Sequence, residues 1–241
     1  MTWGSRVKLF FGLVAVLVMV AALTVIFNQR QTQVLSSSSQ IEAEHVDVGT
    51  DYGGLVVERH VAEGDTVAEG DRLFEIESLS LARDVELGLV AGEGAAVDAD
   101  GTLLVRASVS GTVSALMVDQ GAYAGSGGVI ATIDRTGSLF ATASFILSPR
   151  DFARIEDGAS VDLRLPDGRE ITGTIADLSV STIEGAAHVD VRVDSDALVE
   201  SDPTGLMRPG TPLEATMHLR DDGVLAGVSD ALDDLARRVG L

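Results

Sequence analysis

Residues 54–77, GLVVERHVAEGDTVAEGDRLFEIE, recur without a gap 57 positions later as residues 111–134, GTVSALMVDQGAYAGSGGVIATID. Gly54 aligns with Gly111, Val56 with Val113, Val61 with Val118, Gly64 with Gly121, Gly70 with Gly127 and Ile76 with Ile133. The preceding alternation, Val46/Val48 and Leu103/Val105, corresponds at the same spacing. A repeat present twice cannot be a solenoid, which needs three or more units to bury a continuous core. It reads as two interlocking halves of one small β-domain. Glycines supply positive φ at tight turns, and the apolar residues between them face inward. Gly54, Gly64, Gly70, Gly111, Gly121 and Gly127 are therefore expected at structural turns.

The rest of the chain divides around this repeat. Leu9 to Phe27 carries no charge, and Arg6 and Lys8 precede it. Roughly 20 helical residues, rising about 1.5 Å each, cross a bilayer core, so this run is long enough to span one. The basic residues before it place the N-terminus in the cytoplasm and the bulk outside. The competing reading is a cleaved signal peptide, with Val20-Ala21-Ala22 as a loose cleavage site. The run continues past Ala22, which favours an anchor. The expected organisation has residues 1–30 as N-terminus and transmembrane anchor and residues 31–40, QTQVLSSSSQ, as a Ser-rich linker. Residues 41–137 form the repeat domain, with halves 41–77 and 103–134 and a short insertion, 78–102. In that insertion Ser80 is expected to cap a short helix through Leu81 and Val85. Residues 138–220 form a small β-barrel of about five strands, read from the alternation at Phe140–Ile146, Val161–Leu165, Ile171–Ile175, Val189–Val193 and Leu213–Leu219. Ser148-Pro149-Arg150-Asp151 is a helix start. Residues 221–241 form an amphipathic tail with Leu232, Leu235, Ala236 and Val239 on one face.

The chain is strongly acidic, at −20 formally, with all 37 Asp and Glu beyond residue 40. Such a surface repels phosphate backbones, which excludes nucleic-acid binding. There is no cysteine, so neither a disulfide nor a lipid-modified cysteine is available.

Val61 to Leu73, VAEGDTVAEGDRL, and Ala107 to Ile133 resemble the two half-motifs of the biotinyl/lipoyl fold. A carrier domain of that fold bears its prosthetic group on a lysine between the halves. Lys8 is the chain's one lysine and lies far outside the repeat, so an amide-linked swinging arm has no attachment point. Together with the anchor and the barrel elements, including Leu206-Met207-Arg208-Pro209-Gly210, the split halves resemble the haemolysin-D-like membrane fusion, or periplasmic adaptor, family. The resemblance implies a non-catalytic, homo-oligomeric, membrane-anchored subunit that docks on a cytoplasmic-membrane transporter, ABC-type or proton-driven, with ABC-type placed first. It implies no cofactor. One departure stands out. Well-known members carry a long coiled-coil hairpin between the halves, whereas residues 78–102 show no heptads and contain Gly92, Gly94 and Gly101.

Catalytic motifs are missing from the sequence. His45, His60, His188 and His218 are not spaced as any zinc-peptidase motif, so no metal site is expected. No Ser-Lys pair beyond the apolar run, G-x-S-x-G elbow or phosphate-cradling glycine loop with a lysine occurs. Asp98-Ala99-Asp100-Gly101 begins like a calcium loop but lacks the later ligands. Asp190, Asp194, Asp196, Glu200 and Asp202 read as a solvated strand edge and loop. The runner-up function is an envelope-tethered binding or structural module without transport.

Overall fold

The computed structural model describes residues 32–90, 100–156, 158–183, 185–199 and 207–220, together with residues 12, 16, 19 and 20. Most of the Leu9–Phe27 run, residues 91–99 and the whole 221–241 tail lie outside the described residues. Among the described residues no helix is long and apolar enough to cross a membrane.

The described residues form fifteen strands: β1 (Gln33–Leu35), β2 (Ser38–Glu42), β3 (His45–Gly49), β4 (Gly54–Arg59), β5 (Thr66–Val67), β6 (Arg72–Glu77), β7 (Thr102–Arg106), β8 (Gly111–Leu116), β9 (Tyr123–Ala124), β10 (Val129–Arg135), β11 (Phe140–Leu147), β12 (Ser160–Arg164), β13 (Glu170–Ile183), β14 (Ala186–Asp194) and β15 (Glu214–His218). They fall into two compact units. One comprises Glu42–Leu139 with Leu198–Pro209, the other Met1–Ile41, Phe140–Ala197 and Gly210–Leu241.

In the first unit the repeat becomes a strand exchange. One sheet runs β3-β10-β8-β5, the other β7-β6-β4-β9. Each takes its two central strands from one half and its two outer strands from the other. The hydrogen bonds between halves occur twice, 57 residues apart. Gly64 N–H donates to Val113 O at 2.8 Å, and Gly121 N–H donates to Val56 O at 2.8 Å. Gly70 N–H donates to Ala107 O at 2.8 Å, and Gly127 N–H to Thr50 O at 2.7 Å. The core repeats too. Val48/Val105, Val56/Val113, Leu73/Ile130 and Ile76/Ile133 are all buried in one cluster. Each such side chain contributes roughly 1.5–3 kcal/mol on burial.

The second unit is a closed barrel. Its sheet runs β1-β15-β12-β13-β14-β11-β2. β2, at the far end of that order, bonds back to the segment entering β15. Leu213 N–H donates to Ser39 O at 3.2 Å, Ile41 N–H donates to Thr211 O at 2.9 Å, and Gln40 bridges Pro212. Gln33–Leu35 pairs with Thr216–His218 along the same edge. Residues 33–42 thus form two consecutive strands that complete the barrel wall. This corrects the reading of 31–40 as a linker. The Ser-rich composition misled because Ser36 and Ser39 turn their hydroxyls to each other at 3.1 Å, and Ser39 Oγ donates to Leu213 O at 2.5 Å. Polar side chains are here satisfied by the wall itself.

The five strands expected from alternation appear as β11 to β15. β13 runs further than its alternation showed, to Ile183, because residues 179–183 are exposed on both faces and carry no period. Ser148 caps the helix Pro149–Phe152 by accepting from Asp151 N–H at 3.2 Å.

Candidate functional site

The repeat glycines fall into two physical classes. Gly64 and Gly121 have φ of 89° and 85°, and Gly70 and Gly127 have φ of 90° and 74°. These four occupy left-handed turns where a Cβ would meet open space but strained backbone. Gly54 and Gly111 do not sit at turns. They open β4 and β8, and a Cβ there would lie 2.2 Å from Glu77 O and Asp134 O respectively. The expectation of six turn glycines is thus corrected at two positions: close strand approach, not positive φ, demands glycine.

The described part of the insertion is one helix, Leu79–Glu86. Its cap is Ser78 rather than Ser80. Ser78 Oγ accepts from Leu81 N–H at 3.4 Å and donates to Gly53 O at 2.7 Å. Eight residues rise about 12 Å. Leu81 is fully buried, and Gly88 at φ 67° follows the helix end. Ser78 N–H donates to Gly101 O at 3.1 Å, and a Cβ on Gly101 would lie 2.5 Å from Ala82 Cβ. The two ends of the insertion therefore meet at the first helical turn. Tyr52 Oη donates to Asp84 at 3.2 Å. Burial, then this bond, raise its phenol above the ordinary value.

Beside this helix lies a concavity of about 540 Å³ lined by Leu55, Glu77, Leu79, Arg83 and Tyr123. Leu79 and Tyr123 are 85% and 72% exposed, and Leu55 is 44% exposed. Isolated exposed apolar residues are ordinary, whereas a contiguous set beside a concavity marks an interaction surface.

The histidines separate by environment. His45 meets Asp134 at 2.6 Å and His218 meets Asp162 at 2.7 Å, one carboxylate each. His188 lies on the outward face of β14 opposite Ile146. His60 lies between two carboxylates, with Nε2 3.1 Å from Glu75 and Nδ1 3.8 Å from Glu58. Sequence spacing missed this group, because Glu75 arrives across the β4–β6 ladder; only pairing the repeat strands in advance would have found it. The acidic run of β14 is dispersed: Asp190 accepts from Ser144 at 2.5 Å and Asp194 from Arg192 at 3.0 Å. Glu200, Asp202 and Asp98 lie outside the described residues.

Residues 44–136, the interlocked unit's repeat, match the domain family described as the barrel-sandwich hybrid domain of RND membrane fusion proteins. The repeat domain is therefore a barrel-sandwich hybrid of the membrane-fusion type. Among solved structures, the chain is similar to a chimera of MacA with the α-hairpin domain of Pseudomonas aeruginosa MexA. Identity there is 17%, TM-score 0.57, over 79% of this chain and 83% of that one. It is similar to ZneB from Cupriavidus metallidurans at 18% identity and TM-score 0.54, over 78% of this chain and 98% of that one. MacA from Actinobacillus actinomycetemcomitans aligns at 16% identity and TM-score 0.54, over 78% of each chain. At these identities the solved structures speak to fold. No curated protein matches the sequence.

Proposed function

We propose that this chain is the extracytoplasmic adaptor subunit of an efflux or secretion transporter. The observation that carries the proposal is the strand-exchanged sandwich, of membrane-fusion type and without a lysine to bear a cofactor. In a carrier such a domain shuttles a covalent arm. Without one, what the fold offers is a rigid surface. The apolar concavity at Leu55, Leu79 and Tyr123 supports docking as its use.

In this reading Leu9–Phe27 anchors the chain with its N-terminus in the cytoplasm, and several copies surround the transporter. The transporter is of the ABC class, as the sequence resemblance placed first. The RND label of the matched domain supplies the competing class. The adaptor works near the membrane, because its insertion begins with a helix of only eight residues whose base is closed by Gly101. No catalytic role is assigned to any residue.

Tagged full-length chain, expressed in its native cells and purified from detergent-solubilised membranes, tests this. A cytoplasmic-membrane permease should co-purify in stoichiometric amount, and the permease's own class decides between ABC and RND. Protease added to protoplasts should digest residues beyond 41. Recovery of wall or envelope components with no transporter would replace the proposal by the tethered-module reading.

A further inference from the structure

Glu58 and Glu75 are direct cross-strand partners on β4 and β6. Like charges in that position repel, so a sheet does not gain from placing them there. The register that opposes them arises from a bulge between Val56 and Glu58, where Val57 is the extra residue. His60 follows β4, and its backbone N–H donates to Leu73 O at 2.9 Å, which fixes the imidazole's origin beside the pair. One ligand atom from each of Glu58, His60 and Glu75 lies within 4.8 Å of the other two. The nearest cationic side chain on the same ladder is Arg72, whose Nη1 is 3.9 Å from Glu75. Arg59 is directed to Asp119 at 3.9 Å.

The second half of the repeat serves as an internal control. The same bulge recurs there, with Val113 opposite Ile133 and Ala115 opposite Thr132. At the positions of Glu58, His60 and Glu75 stand Ala115, Met117 and Thr132. The backbone framework is thus built twice, but oxygen and nitrogen ligands are placed on it once. The fold does not call for this trio.

We propose that Glu58, His60 and Glu75 bind a divalent transition-metal ion of the zinc, cobalt or nickel class. Imidazole with two carboxylates suits these ions; soft cuprous copper would want thiolate or thioether, and calcium an all-oxygen shell. The 3.1 Å between His60 Nε2 and Glu75 matches the edge of a coordination shell with bonds of about 2.0–2.2 Å. A dication between Glu58 and Glu75 replaces their repulsion by two attractions. The ring of His60 is 24% accessible and the side chain of Glu58 57%, so water completes the shell and the ion exchanges with the surroundings. Such a site reports ambient metal rather than holding a permanent structural ion.

The test uses the full chain in detergent, titrated with cobalt(II) chloride and zinc(II) chloride. Glu58→Ala, His60→Met and Glu75→Thr together install the other half's residues. Wild type should bind one cobalt ion per chain, with a visible ligand-field spectrum and a paramagnetically shifted His60 ring resonance. The triple variant should lose at least about tenfold in affinity, the lower end of what disturbing even an outer-shell partner costs a metal site. His45→Ala and His218→Ala should keep wild-type binding. If the triple variant melts early, His60→Gln alone serves, since that side chain can leave without opening the core. Equal binding by wild type and variant overturns the assignment. So does loss of binding in the His45 or His218 variant, or wild-type binding no stronger than diffuse association with the acidic surface.

Discussion

The sandwich and the barrel are both β-structures that must manage their edges, and they do so by different means. In the sandwich the two halves exchange strands, each sheet ends on a two-residue strand, β5 or β9, and the backbone bonds that join the halves at the glycine turns are made twice. In the barrel, closure rests on residues 33–42 pairing once with the segment 211–218. Ser39 and Leu213 are 174 residues apart. Exposed edges invite pairing with other chains, and both solutions leave little edge to pair. The difference is one of redundancy. A duplicated contact leaves its mark on the sequence as a repeat; a single long-range contact leaves none.

The strongest break in that comparison comes from the strand-opening glycines. Gly54→Val and Gly111→Val force a side chain against backbone carbonyls 2.2 Å away. Each should cost more than about 4 kcal/mol, the range of exceptional single substitutions, and unfold the sandwich in a denaturant melt. Because the sites are equivalent, both should fail alike; a neutral result at either would break the two-half symmetry. Next in size is Ile41→Ala at the end of the closing strand. Ile41 is fully buried, so about 2–5 kcal/mol should be lost from the barrel, whereas Leu35→Ala, 69% exposed in β1, should move stability by less than about 0.5 kcal/mol. Equal melts for the two would return residues 33–42 to the status of a linker.

Smaller effects sharpen the symmetry. Gly64→Ala and Gly121→Ala keep space but strain positive-φ backbone, and each should cost about 1–2 kcal/mol, the same within error. Smallest is Asp65→Ala. The Asp65 carboxylate accepts Ala62 N–H at 2.7 Å, worth about 1 kcal/mol, while the second half has Ala122 in that place. The two turns should therefore differ in hydrogen exchange in wild type and converge in the variant.

How far the sequence revealed this structure follows the same line. The interlock was legible because glycines and apolar residues recur in register at both turns and in the core. The two glycine classes were not separable, since Gly54 and Gly64 look alike until Glu77 O is seen across the ladder. The barrel's five alternating strands were legible, but β1 and β2 were hidden. A wall strand that satisfies serine hydroxyls within the barrel has the composition of a tether. The Glu58–His60–Glu75 group was invisible for a further reason: its members are near in space through pairing and a bulge, not through spacing along one element.

The central claim is that the chain serves a transporter through its β-units, without a duct-reaching hairpin. The measurement is export of the co-purifying transporter's cargo from cells lacking the native copy of this chain. Wild type should restore export. So should a variant with residues 87–100 replaced by a short Gly/Ser linker, because the helix Leu79–Glu86, with Arg83 and Asp84, remains and loop closure depends weakly on length. Deletion of residues 138–220 should not restore it. If cells without the chain export at the full rate, it is no adaptor. If the linker variant stays folded and anchored yet export stops, the insertion is the working contact, and the account given to the two β-units is wrong.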